Sequence, residues 1–263
     1  MRTLPAAARA AEGLARLCFP RRCPFCNAVL GGTAQYGVIC PDCAEEAAQY
    51  EHTPPRLPET EHGFYAVSGA AGAYYYAGPV RRAILRCKNY GHPWYAQELA
   101  DLIALRVFAA EPGGAPGKLP RYTPVPGLPA YDLLVPVPAS LRRKKRGYNM
   151  PALLAGRLGK TLSIPVAARI LTPTRETKPQ KELAQSERFA NQKDAYRAAR
   201  GAELEGKRVL LIDDVITTGA TVSACAKALL EGGAASVFAV SVAADEEMPK
   251  AAQKKKGEKA KTP

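Results

Sequence analysis

The sequence predicts an α/β protein: a parallel sheet clothed by helices on both faces, with a small cysteine-rich module in front of it. Three observations carry this expectation. From Tyr131 onward, apolar strand-like runs alternate with helical ones. The strand runs are apolar at consecutive positions, the mark of strands buried on both faces. Four of the seven cysteines form two CxxC pairs near the N-terminus.

The module is expected to span residues 18–49. Its pairs CPFC (23–26) and CPDC (40–43) are separated by thirteen residues. Each CxxC turn offers two thiolates, and two such turns close a tetrahedral zinc site. So short a segment cannot bury a core of its own, so a metal is the natural organiser. Zn²⁺ held by Cys23, Cys26, Cys40 and Cys43 would have no open position and would be structural. Redox dithiols are the competing reading, and they do not explain two pairs. Cys87 and Cys225 fall in helical runs and read as packed small hydrophobes.

YEHTPPRLPETEHG (50–63) is rich in proline and charge and reads as a linker, with His52 and His62 on the surface. A second domain is then expected over 64–245. FYAVSGAAGAYYY (64–76) has strand composition around a glycine turn. GPVRRAILRCKNYG (78–91) and PWYAQELADLIALRVFAAE (93–111) read as helices with proline in the first turn. Residues 112–129 are a proline- and glycine-dense loop. DLLVPVP (132–138) reads as a strand, GYNMPALLAGRLGK (147–160) as a helix and VAARIL (166–171) as a strand. KRVLLID (207–213) is the next strand. GATVSACAKALLEGGA (219–234) is a helix closed by its glycine pair, and SVFAVSVAA (236–244) is the last strand.

The net charge of +13, from 37 basic and 24 acidic residues, is concentrated in two places. One is the run Arg142, Arg143, Lys144, Lys145, Arg146; the other is the tail 250–263, with six lysines against Glu258. The tail has almost no apolar content and reads as disordered. No apolar run approaches the roughly 20 residues of a membrane span. Arg9, Glu12 and Arg16 break any signal-peptide core, so a cytoplasmic location without membrane insertion is expected.

The segment VLLIDDVITTGAT (209–221) carries the chemistry. Ligands of open parallel sheets bind beyond the carboxyl ends of the strands, where Asp213 and Asp214 fall. The small residues after them let backbone amides converge, and the following helix aims its positive end at the same spot. A phosphate fits there, with the carboxylates left for hydroxyls or a bridging divalent cation. A ribose 5-phosphate meets that description. A nucleotide-hydrolase reading would need a phosphate loop elsewhere; GRLGKT (156–161) fails because Leu154 stands where a glycine is required.

Four apolar residues, two acids and a Thr/Gly loop resemble the 5-phosphoribosyl 1-pyrophosphate (PRPP) motif of type I phosphoribosyltransferases. The resemblance implies a type I phosphoribosyltransferase-like fold, with Mg²⁺ accompanying PRPP. Asp213 and Asp214 would bind the ribose hydroxyls and serve catalysis. Val215, Thr217, Thr218, Gly219, Ala220 and Thr221 would complete the PRPP site, the loop holding the 5-phosphate. The loop after the 132–138 strand would cradle pyrophosphate, with Arg146 and Gly147 the leading pair; a solvated basic turn is the alternative. The stretch 172–197 is too long for an ordinary connection. In the type I fold a flexible loop closes there, implying roles for Arg175, Lys178 and Gln180.

The order of pieces narrows the family. The four-cysteine module, GPVRRAILRCKNYG, VPVP followed by RRKKRGYN, and Gln180, Leu183, Glu187, Arg188 and Asn191 ahead of LLIDDVITTGAT resemble the ComF family. Those phosphoribosyltransferase-like proteins are associated with DNA uptake and natural competence. Met150 departs from the family's usual glutamine after RGYN, and the Lys-rich tail is peculiar to this chain. The resemblance implies PRPP as ligand, phosphoribosyl transfer to an unidentified acceptor, and other DNA-uptake proteins as partners. The competing function is a non-enzymatic protein that senses PRPP or handles single-stranded DNA on the same fold. The basic charge and the tyrosines at 74–76, 90 and 95 with Trp94 suit single-stranded DNA.

Overall fold

The computed structural model describes residues 20–31, 37–57, 64–89, 91–113, 118–124, 130–139, 147–175, 194–199 and 201–245. Four strands form the main sheet: β1 (Gly69–Tyr75), β2 (Leu133–Pro136), β5 (Arg208–Ile216) and β6 (Ser236–Ala244). Their spatial order is β1-β6-β5-β2 and every pairing is parallel. β3 (Leu171–Pro173) and β4 (Tyr196–Ala198) form a separate antiparallel pair. The α-helices among the described residues are α1 (Pro41–Ala48), α2 (Gly78–Asn89), α3 (Ala96–Val107), α4 (Met150–Leu162) and α5 (Ala220–Glu231).

Two apolar layers cover the sheet. Leu210, Ile212, Val240 and Val242 point to a core shared with α2, α3 and α4, while Val209, Leu211, Val237 and Ala239 meet α5. Successive residues of one strand thus enter different cores, which is why these runs are apolar throughout. The first core also takes in Cys23, Phe25, Val38, Ile39 and Ala47, so the cysteine module packs onto the same interior as the sheet.

Local chemistry fixes the helices. α4 carries Pro151 in its first turn and ends where Ser163 turns left-handed, its amide bonding the Gly159 carbonyl. α5 is closed by the amides of Gly232 and Gly233, as the glycine pair predicts. A bidentate ion pair joins α3 to α4: Arg157 Nε and an Nη donate to the two oxygens of Asp101, both at 2.7 Å.

Two expectations are corrected. VAARIL is not a continuous strand: Val166 makes a single parallel bridge to Leu134, and pairing resumes only at Leu171 in the other sheet. The 50–63 segment is not a free linker over its described part. Residues 51–57 run antiparallel along the outer edge of β1, with the amides of His52, Leu57 and Gly72 bonding Ala73, Ala70 and Pro55 carbonyls. His52 is consequently buried, its ring stacked on Tyr75 at 4.4 Å and its Nδ1 2.9 Å from the Pro54 carbonyl. Cys87 and Cys225 are fully buried, as expected of packed hydrophobes, and burial pushes the Cys87 thiol up to about 12.

Candidate functional site

From β2 the chain passes through α4 to bridge β2 on its outer side; from β5 it passes through α5 to β6 on the other side. The connections diverge between β2 and β5, which makes the carboxyl ends of these two strands the crevice where an open sheet binds ligands. Asp213 and Asp214 stand there, inside the last residues of β5 and only 9% and 5% exposed.

The pleat sends the two acids opposite ways. Asp213 faces α5, where its charge reinforces burial in raising the Cys225 thiol. One of its oxygens, Oδ1, accepts the Asp214 amide at 2.8 Å. Asp214 faces α2 instead, and its Oδ2 lies 2.5 Å from the Lys88 ammonium. The two carboxylates are adjacent in sequence, but they do not form one side-by-side pair.

Beyond β5, Thr217, Thr218 and Gly219 turn the chain into α5. Gly219 adopts φ 80°, ψ −5° at the N-cap, a left-handed conformation open to glycine at little cost. The first amides of α5 therefore point into this turn, with the positive end of the helix behind them. Thr218 is 7% exposed, and its hydroxyl is buried with no hydrogen-bond partner among the described residues. An orphan of this kind costs about 1–3 kcal/mol. An anion with oxygens to accept from the hydroxyl and the helix amides would satisfy it. Val215, Ala220 and Thr221 flank this turn on β5 and α5.

The loop after β2 is described at its two ends. The Asn149 side-chain amide donates to the Val137 carbonyl at 2.9 Å, tying the end of the loop back to its start. Gly147 adopts φ 80° with open space around its Cα. Arg146 and the rest of the basic run lie outside the described residues, as do Lys178 and Gln180. Arg175 lies two residues past the end of β3, a strand of the smaller sheet.

Lys88 escaped the sequence reading. A lysine in the last turn of an amphipathic helix looks like a solvated residue, and nothing local joins it to Asp214. Tyr76 is a second such neighbour: burial raises its hydroxyl, the Arg81 charge opposes this, and the charges of Asp214 and Asp245 add to the rise.

The four predicted cysteines converge. The sulfurs of Cys23, Cys26, Cys40 and Cys43 all lie within 4.8 Å of one another. The first knuckle is built by the Cys23 amide on the Ala28 carbonyl (2.8 Å), the Asn27 amide on the Cys23 carbonyl (2.9 Å) and a left-handed Asn27. The second places Cys40 at the N-cap of α1, with Pro41 opening the helix. Burial holds the Cys23 thiol at about 11 and raises Cys43 as well. Four converging sulfurs suit a soft, tetrahedral metal such as zinc, whose charge would bind them as thiolates. The knuckle is fastened to the body: Arg86 of α2 donates to the Pro24 and Phe25 carbonyls (3.2 and 3.3 Å), Arg21 pairs with Glu98 (2.5 Å), and the Tyr95 hydroxyl bonds Asn27.

Residues 144–261 match the model of the phosphoribosyl transferase domain. The chain is 30% identical over 215 residues to DNA utilization protein YhgH of Escherichia coli K12, covering 81% of this chain and 87% of the relative. It is 33% identical over 161 residues to competence protein F of Haemophilus influenzae, covering 60% of this chain and 65% of the relative. Competence protein ComFC of Bacillus subtilis is 35% identical over 106 residues, 40% of this chain and 41% of the relative. Identity at this level across most of both chains, with the cysteine cluster and the parallel sheet already in place, makes this protein a phosphoribosyltransferase-like member of the ComF family.

Proposed function

We propose that this chain binds PRPP with Mg²⁺ at the carboxyl end of β5 and serves DNA uptake or use in the cytoplasm. The observation that carries the ligand reading is the buried Thr218 hydroxyl, which has no partner among the described residues, lies at the N-terminus of α5 and is close in sequence to a buried acid pair. The loop 217–221 takes the 5-phosphate, and Asp213 and Asp214 take the ribose hydroxyls. Arg146 and Gly147 serve the pyrophosphate, and Arg175, Lys178 and Gln180 belong to the loop that covers the ligand. Mg²⁺, when bound with PRPP, neutralises phosphate charge and polarises the bond to the leaving group. The protein's share of a phosphoribosyl transfer is positioning and exclusion of water. The 18–49 module is a structural zinc unit on the 64–245 domain, and 250–263 is a basic tail.

A melting experiment tests the ligand. A molecule that binds only the native state stabilises it by about 2.7 kcal/mol at a hundredfold excess over Kd. PRPP with Mg²⁺ is expected to raise the melting temperature of the wild type, and Asp214→Ala to abolish that rise. An unchanged response in Asp214→Ala refutes the assignment. Pyrophosphate release with a panel of bases then identifies or excludes an acceptor.

The relatives' names and the +13 charge favour a second property, binding of single-stranded DNA. Each phosphate neutralised contributes about −0.7 to the slope of log K against log salt. Deleting residues 250–263 should flatten that slope; wild type that binds no DNA at low salt ends this reading.

A further inference from the structure

We propose that Lys88 binds the anionic group on C1 of the sugar and, in the free protein, rests on Asp214. This builds on the reading of 209–221 as a phosphoribosyl site. The Lys88 ammonium lies 2.5 Å from Asp214 Oδ2, and the two side chains are 22% and 7% exposed. The contact joins helix α2 to strand β5, elements far apart in the chain.

Topology sets the direction. The phosphate turn opens at the N-terminus of α5, on one face of the sheet, whereas α2 packs on the opposite face. In a ribose 5-phosphate the two ring hydroxyls lie between C1 and the carbon bearing C5. A sugar held with its 5-phosphate on the 217–221 turn and its hydroxyls on Asp214 therefore carries its C1 substituent away from α5. It leads toward the face from which Lys88 arrives.

Electrostatics favours a cation there in addition to Mg²⁺. Asp213 and Asp214 are buried at this rim; Tyr76 beside them feels the charges of Asp214 and Asp245 and, more strongly, that of Arg81, whose guanidinium lies 5.9 Å over its ring. A ligand with a phosphate at each end would be repelled by these acids without a positive partner. Lys88 supplies one. When ribose hydroxyls donate to Asp214, the ammonium exchanges that carboxylate for the oxygens on C1.

The helix is fixed so that only the lysine stem has to move. Arg86 fastens α2 to the Pro24 and Phe25 carbonyls, and the Tyr148 hydroxyl donates to the Cys87 carbonyl at 2.5 Å. A four-carbon stem carrying three rotatable donors is suited to such an exchange.

Calorimetric titration of full-length wild type, Lys88→Met and Lys88→Arg with Mg²⁺–PRPP and with Mg²⁺–ribose 5-phosphate tests the proposal. PRPP affinity should fall at least about tenfold in Lys88→Met, ribose 5-phosphate affinity should hold or improve, and Lys88→Arg should recover most of the loss. Equal losses for both ligands would make Lys88 a mere support for Asp214 and overturn the proposal, as would no loss for PRPP. Should Lys88→Met not fold, Lys88→Gln takes its place in the same pair of titrations. Wild type that binds neither ligand overturns the proposal together with the site reading. Wild type that binds both, beside an unaltered Lys88→Met, overturns the proposal alone.

Discussion

Replacing Thr218 with valine should move stability and ligand affinity in opposite directions. The hydroxyl is buried and has no partner among the described residues, so the free protein carries its desolvation cost of about 1–3 kcal/mol. Valine keeps the shape and the β-branch, so the backbone and the surrounding packing need not change. For a chain of this size each kcal/mol is about 2–4 °C of melting temperature, which gives an expected rise of about 2–12 °C. With phosphate in place, the same hydroxyl would make a charge-assisted hydrogen bond of about 1.5–3 kcal/mol. Its loss should weaken Mg²⁺–ribose 5-phosphate and Mg²⁺–PRPP by about 10- to 100-fold. Scanning calorimetry of the free protein and titration with each ligand measure both halves. A lower melting temperature in Thr218→Val, or unchanged affinity, would refute the reasoning.

Cys40→Ser removes one of four converging sulfurs and should abolish the single zinc equivalent that elemental analysis is expected to find in wild type; wild type that is fully folded without metal contradicts this. Asp101→Ala leaves the Arg157 guanidinium without its bidentate partner between α3 and α4, where the two side chains are only 3% and 12% exposed. Breaking such a pair costs about 3–5 kcal/mol, to be read from the urea midpoint, and a loss below about 1 kcal/mol would place the pair among ordinary surface bridges.

The sheet and its covering helices were legible because their signals are local. β5 and β6 are apolar at consecutive positions, and α5 is bracketed by Gly219 and the pair Gly232, Gly233. The cysteine knuckles were legible from spacing alone. What depends on distant partners was not. Residues 51–57 read as linker because Pro54 and Pro55 discourage a strand, yet the outer edge of a sheet tolerates prolines. His52 is buried by Tyr75, a residue of the strand that this segment covers. VAARIL has strand composition throughout but pairs with β2 only at Val166 before leaving for the other sheet. At the site, the residue types at 213–221 were plain, but sequence alone treats the adjacent acids as equivalent. The pleat assigns Asp213 to α5 and Asp214 to α2, and so brings in Lys88.

The antiparallel strap along β1 has a consequence for solubility. An uncovered strand edge is a template onto which another chain can add, and parallel sheets with a bare rim are prone to such joining. Here residues 51–57 occupy that rim, and the same strap continues directly from α1, the helix that Cys40 caps. Arg106 of α3 bonds Glu51 at 2.8 Å and helps hold the strap at its near end. The cysteine cluster thus secures, at one remove, the covering of the sheet edge. A chain whose four-cysteine cluster is broken would lose more than a small folded module: it would bare the rim of β1 and gain a surface on which copies of itself can join strand to strand.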